Sequence, residues 1–543
     1  MSKVSTTKIF QYAKRFLSGT LISKCFGVVR DIAFAYAFGA SGAIASFMVA
    51  FRLAHFFRRF IGESGLSVAF IPYFQRQKNI SEEKAAFFFR DMLVYVFVTL
   101  SIGVVILSGI FQVSSSYLVG DWSHIARLTS ILSLSLLFIG LYAMNQAYLQ
   151  TYGSYFTASM APVCFNIFCI IGALLAHKQS YMTPFFFLAM MALLGFVAQW
   201  FFTVPAMLKR LLPQLKGGLF KDFGQSRSLA KKVMTSGALG LLGIAAVQMN
   251  SVVDGLFAKL IDPSGPAYLW YAIRIYQLPL SLFAVSIASA LLPTLSKVHE
   301  NKTLFTEYLK DVCNKVVLFM VPTTFAILVL STSGIELLYG RGQFGIESLA
   351  HTTQCLIGYG SGLIGSCFVI VLAQGFYAKG DYKTPSIAAM ISVFSNLGLN
   401  AFFIFALGMG PASIALATGL SVTLNALVLM KKLKAALISN LDAAEASLNN
   451  TLKLTRPGHT FKVTVASAIA ALTVLYLSMH LKQDVTWPIL TGQTAGLQLA
   501  NLSVQARTFG IKALLFFAQF IALAKLLRIA EFERLAPSKI EKS

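Results

Sequence analysis

Of the 543 residues, 56% are hydrophobic and only 12% charged, about half the charged share of an ordinary soluble domain. A mean hydropathy of +0.70 over such a length also excludes a chain held by one anchor, so most of it must lie in a membrane. The net charge of +24 fits either a nucleic-acid partner or basic cytoplasmic loops, and the placement of Lys and Arg decides between them.

The amino terminus, Met1 to Phe16, is basic and enters a segment carrying Lys24, Arg30 and Asp31 without a cleavage pattern. The first apolar stretch is therefore read as a retained span. Apolar runs of helix length predict spans near 17–38, 43–75, 88–112, 126–150, 155–176 and 184–208. A second group follows near 232–258, 266–296, 314–333, 351–378, 385–407 and 411–431, with two more near 460–480 and 508–528. A polar stretch from Ile438 to His459 separates the last two and reads as a cytoplasmic linker. The six cysteines, Cys25, Cys164, Cys169, Cys313, Cys355 and Cys367, sit in or beside apolar runs without metal-ligand spacing, and read as thiols.

With the amino terminus in the cytoplasm, 32 of the 45 basic residues fall on cytoplasmic segments. Seven fall on outer loops or span ends (Arg127, Lys178, Lys259, Arg341, Lys482, Arg507 and Lys512) and six within spans. The positive charge is thus a topology signal, and nucleic acid is set aside as a partner.

The chain also resembles itself. Asp31 through Gly42 matches Asp254 through Gly265, Ala50 to Leu53 matches Ala272 to Ile275, and Ala69 to Pro72 matches Ala290 to Pro293. Further on, Gly153, Tyr155, Thr157 and Ser159 match Gly380, Tyr382, Thr384 and Ser386. Both copies start from the cytoplasmic side, so the repeat is parallel. The expected fold is an all-α polytopic membrane protein of about 14 transmembrane helices, two six-helix lobes related by a parallel pseudo-twofold plus two C-terminal helices. Residues 1–225 form the first lobe, 226–437 the second, 438–459 the linker, and 460–543 the last two spans and tail.

Six cations lie at span depth: Lys24, Arg30, Arg52, Arg58, Arg59 and Arg274. Facing lipid at the bilayer centre, each would cost about 2.5 to 3.5 kcal/mol. Apolar-run depth supplies three acids, Asp31, Glu63 and Asp254, which leaves a surplus of three positive charges. A hydrated, anion-binding cavity accommodates that surplus more cheaply than a dry interior. On one helix Ser23, Gly27 and Arg30 share a face, and Arg52, His55 and Arg59 repeat the spacing on the next. Glycines around Glu63 predict a break there. Arginine suits bidentate contact with phosphate and Lys24 acts as a point charge, so a lipid diphosphate has the required chemistry. The plainer alternatives are arginines reaching the interface and an internal Arg30–Asp31 pair.

A second candidate joins Asp254 to Asn396 and Asn400, one turn apart, and to Thr418. A carboxylate with amide and hydroxyl oxygens suits a hard cation such as sodium, and hydrogen bonding between helices is the alternative. Walker A, GxSxG and HExxH sequences do not occur, so neither an ATP-driven pump nor a hydrolase is supported, and the chain is read as no enzyme. Energy is expected from ion or voltage gradients, with sodium or proton coupling, or from downhill consumption of product.

The segments SKCFGVVRDIAFAYAFGASG (Ser23 to Gly42), FRRFIGESGLSVAFIP (Phe57 to Pro72) and GFYAKGDYKTP (Gly375 to Pro385) resemble the MurJ (MviN) family. These are bacterial lipid II flippases of the multidrug/oligosaccharidyl-lipid/polysaccharide exporter superfamily. The resemblance implies fourteen helices, a groove beside the last two that holds an undecaprenyl tail, and cavity cations at Lys24, Arg30, Arg58 and Arg274. Lys24 stands where arginine is familiar, and Ala45 and Ile273 where an acid can occur. The function it implies is movement of lipid II, a peptidoglycan precursor, to the periplasmic leaflet of the inner membrane by alternating access. Both termini would be cytoplasmic. Arg30, Arg274 and Lys24 would bind the diphosphate, Arg58 and Arg59 assist, and Asp31, Glu63 and Arg52 form gating or ion pairs. Implied partners are lipid II, membrane lipid and cell-wall synthesis or division proteins. The rival readings are an exporter of another polyprenyl-linked saccharide or of cationic drugs, and a non-transporting cell-wall scaffold.

Overall fold

A computed structural model of the chain describes residues 6–56, 66–177, 182–215, 218, 223–224, 226–240, 242–438, 454–481, 484–529 and 532. Among them the secondary structure is helical throughout, without a strand. The chain divides into two compact units, 1–259 and 260–543.

In the first unit the helices are α1 (Thr6–Phe38), α2 (Gly42–Phe56), α3 (Leu66–Ile80), α4 (Glu82–Tyr117), α5 (Asp121–Ser133) and α6 (Ser135–Thr151). They continue with α7 (Tyr155–Met160), α8 (Pro162–Leu175), α9 (Pro184–Leu211), α10 (Arg227–Gly240) and α11 (Leu242–Ile261). α1 packs on α7 and α8, α5 on α2 and α4, and α9 on α6 and α8. An aromatic core of Phe70, Phe74, Phe88, Phe89 and Tyr148 joins α3, α4 and α6. The Phe89 and Tyr148 rings stack there at 4.1 Å. Ser81 caps α4 through its hydroxyl, which accepts from the Glu83 amide, and two acids in the first turn complement the helix dipole.

The second unit holds α12 (Gly265–Pro279), a π-helical turn at Leu280–Ala284, α13 (Val285–Lys297), α14 (Lys302–Tyr339), α15 (Ile346–Gly360), α16 (Leu363–Ala378), α17 (Lys383–Ala401) and α18 (Ala412–Ile438). It ends with α19 (Pro457–His480), the short α20 (Thr486–Leu490) and α21 (Leu502–Leu526). α15, α16 and α17 pack on α18, and α19 and α21 pack on α14. Gly362 and Gly365 let α18 approach α16 closely: a Cβ at 362 would come within 2.4 Å of the Gly419 backbone.

Among the described residues each predicted span coincides with helix, while ten helices, or eleven with the bent pair α15–α16 taken as one span, are long and apolar enough to cross a membrane. α1 misses that measure because Lys24, Arg30 and Asp31 lie in its apolar part. The segments near 43–75 and 232–258 are interrupted by residues outside the described set. The units divide two helices later than the 225/226 repeat boundary, beyond α10 and nearly all of α11, and α11 is fastened to α2 and α5. Lys259 Nζ donates to the Gly42 carbonyl at 3.0 Å and pairs with Asp121 at 2.7 Å.

Candidate substrate-binding site

Arg30 lies in the second half of α1, where a bare guanidinium would be costly. Its Nε and Nη2 both donate to Asp31 Oδ1, at 3.1 and 2.8 Å, and its Nη1 donates to Asn166 Oδ1 at 3.0 Å. Asn166, on α8, donates its Nδ2 to the Ser23 carbonyl at 3.3 Å, so the donors around it fix the amide orientation. The guanidinium carbon lies 5.8 Å from the Phe34 ring centre and 5.6 Å from that of Phe165. Arg30 is 8% exposed. Lys24, nearly two turns earlier on α1, is exposed.

Arg52, half-buried on α2, donates from Nη1 to the Ser251 carbonyl of α11 at 3.4 Å. It reaches there because position 255 is glycine: a Cβ would stand 3.1 Å from Nη1. Asp254, the preceding residue, is buried. His55 is part of the packing, its ring stacked 3.9 Å from Phe51 and 5.1 Å from Phe196. Arg58, Arg59 and Glu63 lie outside the described residues.

In the second unit Arg274 is half-buried, its guanidinium 4.7 Å from the Trp270 ring one turn back on α12. Asn400 Nδ2 donates to Asn396 Oδ1 at 2.9 Å, and Asn396 Nδ2 donates to Thr418 Oγ1 at 3.2 Å. The Thr418 hydroxyl in turn donates to the Ile414 carbonyl at 3.0 Å. These three side chains form a hydrogen-bonded chain between α17 and α18. Among the described residues, three or more His, Cys, Asp or Glu side chains do not gather around a metal-sized space.

Burial gives a different tally from span depth, three of whose charges, Arg58, Arg59 and Glu63, lie outside the described residues. Among the described residues the buried charges are Arg30, Arg90, Lys259 and Lys512 against Asp31, Asp91, Asp254, Glu336 and Asp484. Apolar-run depth alone misses Glu336 and Asp484, which lie in the last turn of α14 and in a loop and are enclosed only by folding. Arg90 pairs with Asp91 at 2.8 Å, and Asp91 Oδ2 accepts from the Ser226 amide at 3.1 Å. Of the span-depth cations among the described residues, Lys24, Arg52 and Arg274 keep accessible surface.

Lys512 and Lys259, taken from sequence as span-end or outer cations, are both buried. Lys512 projects from the middle of α21 and pairs with Asp484. It also donates to Ser333 Oγ at 2.9 Å and Thr486 Oγ1 at 2.8 Å, which uses all three ammonium protons. Beside it, Glu336 accepts from the Ala500 amide at 3.1 Å. Nearer the start of α14, Asn314 accepts from the Arg456 amide at 3.0 Å through Oδ1, and its carbonyl lies 3.1 Å from His459 Nε2. The hairpin outside the repeat is thus tied to α14 at two heights. Asn166, Asp121 and Asn314 carried no local signal beyond being polar residues in or beside apolar runs.

The sequence model of the family described as "Lipid II flippase MurJ" matches residues 34–490, beginning just after Arg30 and Asp31. A protein of Chlamydia trachomatis serovar D named probable lipid II flippase MurJ is 31% identical over 388 residues, covering 71% of each chain. A protein of the same name from Chlamydia pneumoniae is 26% identical over 525 residues, 96% of this chain and 93% of that one. Among solved structures, the inward closed conformation of a lipid II flippase MurJ superposes with a TM-score of 0.71 at 23% identity, over 94% of this chain and 99% of the other. An inward-facing multidrug resistance MATE transporter gives 0.60 at 14% identity, over 79% and 100%. The two structures bear on the fold alone: they place this all-helical chain in the architecture those transporters share. The sequence matches carry more, and by them the chain belongs to the lipid II flippase MurJ family.

Proposed function

We propose that this chain moves lipid II from the cytoplasmic to the periplasmic leaflet of a bacterial inner membrane by alternating access, with both termini in the cytoplasm. The substrate comes from the family. The observation that carries the mechanism is that Lys24, Arg52 and Arg274 keep accessible surface on apolar helices. A diphosphate brings charge opposite in sign to theirs, and arginine offers it a planar fork of donors.

In this reading Arg30, Lys24 and Arg274 engage the diphosphate, and Arg58 and Arg59 assist as access alternates. Arg30 is released to substrate when Asp31 changes partner, and Glu63 serves the freed cations in the opposite state. Arg52 holds α2 to α11 in the state seen here. Energy coupling to sodium or protons is placed at Asp254. A cation at Asn396, Asn400 and Thr418 would have to take over oxygens that now accept or relay hydrogen bonds. The movement makes and breaks no covalent bond, so the reading requires no catalytic residue.

The test is complementation of bacteria depleted of their own flippase, scored as labelled lipid II exposed at the outer surface, with membrane abundance measured in parallel. Restoration by the parent but not by equally abundant Arg30→Ala and Arg274→Ala chains is the expected result. Failure of an abundant parent overturns the lipid II reading, and restoration by both variants overturns the site.

A further inference from the structure

At the cytoplasmic ends of α18 and α19 a cavity of about 540 Å³ is lined by Met430, Lys434, Leu454, Pro457 and Phe461, with Thr455 and Thr460. α18 has 27 residues, about 40 Å of helix, which exceeds the ~30 Å hydrocarbon core. Its last turns, with Lys431, Lys432 and Lys434, therefore emerge into the head-group layer on the side where the basic loops lie. Apolar surface adjoins the cavity: Phe461 in its wall is 70% exposed, and Leu427, one turn before Lys431 on α18, is 57% exposed. Lys434 is the charged residue of its wall, and the sequence on either side of the lining residues is one-signed. Residues 430–438 and 454–463 contain Lys431, Lys432, Lys434, Arg456 and Lys462 and no Asp or Glu.

We infer that this cavity is a binding site for an anionic glycerophospholipid of the cytoplasmic leaflet. Its phosphate would lie against Lys434 and one acyl chain along Met430, Leu454 and Phe461. A free anion has no use for the apolar wall, and a zwitterionic lipid gains little from Lys434 and a neighbouring sequence of one sign. Basic pockets between helices on this side of a membrane are built for acidic head groups. The inference does not rest on the transport reading, since it concerns a bulk lipid at the rim of the second unit.

The test titrates phosphatidylglycerol or phosphatidylcholine onto the delipidated full-length chain and counts bound lipid by native mass spectrometry. Phosphatidylglycerol is expected to bind in preference to phosphatidylcholine. Lys434→Gln is expected to weaken it about fivefold, the worth of one lysine at a charged membrane surface, and Lys434→Arg to preserve it. Phe461→Ser is expected to weaken it as well. Equal binding of the two lipids, or binding unchanged in Lys434→Gln, overturns the site. So does displacement by equimolar inorganic phosphate, which would make it a site for a free ion, or by an equimolar polyprenyl diphosphate, which would assign it to that class of lipid. A larger gain from neutralising Asp442 and Glu445 than the loss in Lys434→Gln would overturn it in favour of the chain's own linker.

Discussion

Arg30 and Asp31, neighbours on α1, close on each other through a single oxygen: Nε and Nη2 of the arginine both reach Oδ1 of the aspartate. The pair is neutral as a unit, and Asn166 extends it to α8. Asp31→Asn leaves a buried positive charge uncompensated and is expected to destabilise the first unit by about 3–5 kcal/mol. Asn166→Ala removes a neutral acceptor and is expected to cost about 1–3 kcal/mol. Thermal unfolding of the purified chains in one detergent should rank the parent above Asn166→Ala and that above Asp31→Asn; the reverse order would mean that the pair is not the anchor.

Lys512 offers a cleaner separation of charge from shape. Lys512→Met leaves Asp484 enclosed beside Glu336 without its ammonium partner, and a loss of about 3–5 kcal/mol is expected. Adding Asp484→Asn removes the stranded charge and should return part of that loss. The non-additivity, read from a double-mutant cycle of thermal midpoints, measures the coupling. Strict additivity would show that the two groups do not act together.

Gly153 and Gly380 hold the left-handed backbone at φ 75° and 74° and close the same turn after α6 and α16. In each the glycine amide bonds three residues back at 3.0 Å, to Gln150 and to Tyr377, and the next amide bonds five back, to Leu149 and to Phe376. Alanine at either position is expected to cost about 1–2 kcal/mol and asparagine less, since its short side chain tolerates this conformation. Equal midpoints for alanine and glycine chains would remove the conformational argument.

The pH dependence is clearest outside the membrane, in the turn before α17. Asp381 Oδ1 accepts from the Thr384 amide at 2.9 Å, and hydrogen bonds from the Thr384 side chain and backbone hold its carboxyl below the ordinary range. A carboxyl depressed in the folded state adds stability above its unfolded pKa of about 3.9, and that stability is lost as the pH falls through the folded value. Below about pH 4 the parent midpoint should fall more steeply than that of Asp381→Asn, whose amide does not titrate there. Parallel curves would show that the turn contributes nothing to acid sensitivity.

Most of the fold was legible because it follows from chain-local patterns. Apolar runs set the helices, and the Gly153 and Gly380 motifs, matched in sequence, also match in backbone. Gly42 and Gly265, paired by the repeat, both begin helices. Less of the candidate site was legible. Arg30 and Arg274 stand out as charges in apolar runs, but the Asn166 partner lies 136 residues from Arg30, and only packing of α1 on α8 brings it there. The balance of enclosed charge was hidden for the same reason. Asp484 lies in a polar loop by composition and is enclosed only because α21 delivers Lys512 to it.

The two fastenings of the α19–α21 hairpin stand well apart on α14. Asn314 and Ser333 are nineteen residues distant, about 28 Å along the axis. One such bolt would leave the hairpin free to swivel, whereas two make α14 and the hairpin a splinted lever. A reporter attached to the connection between α19 and α21 should therefore follow the tilt of α14 itself, which makes residues near Thr494 a natural handle for watching that helix move.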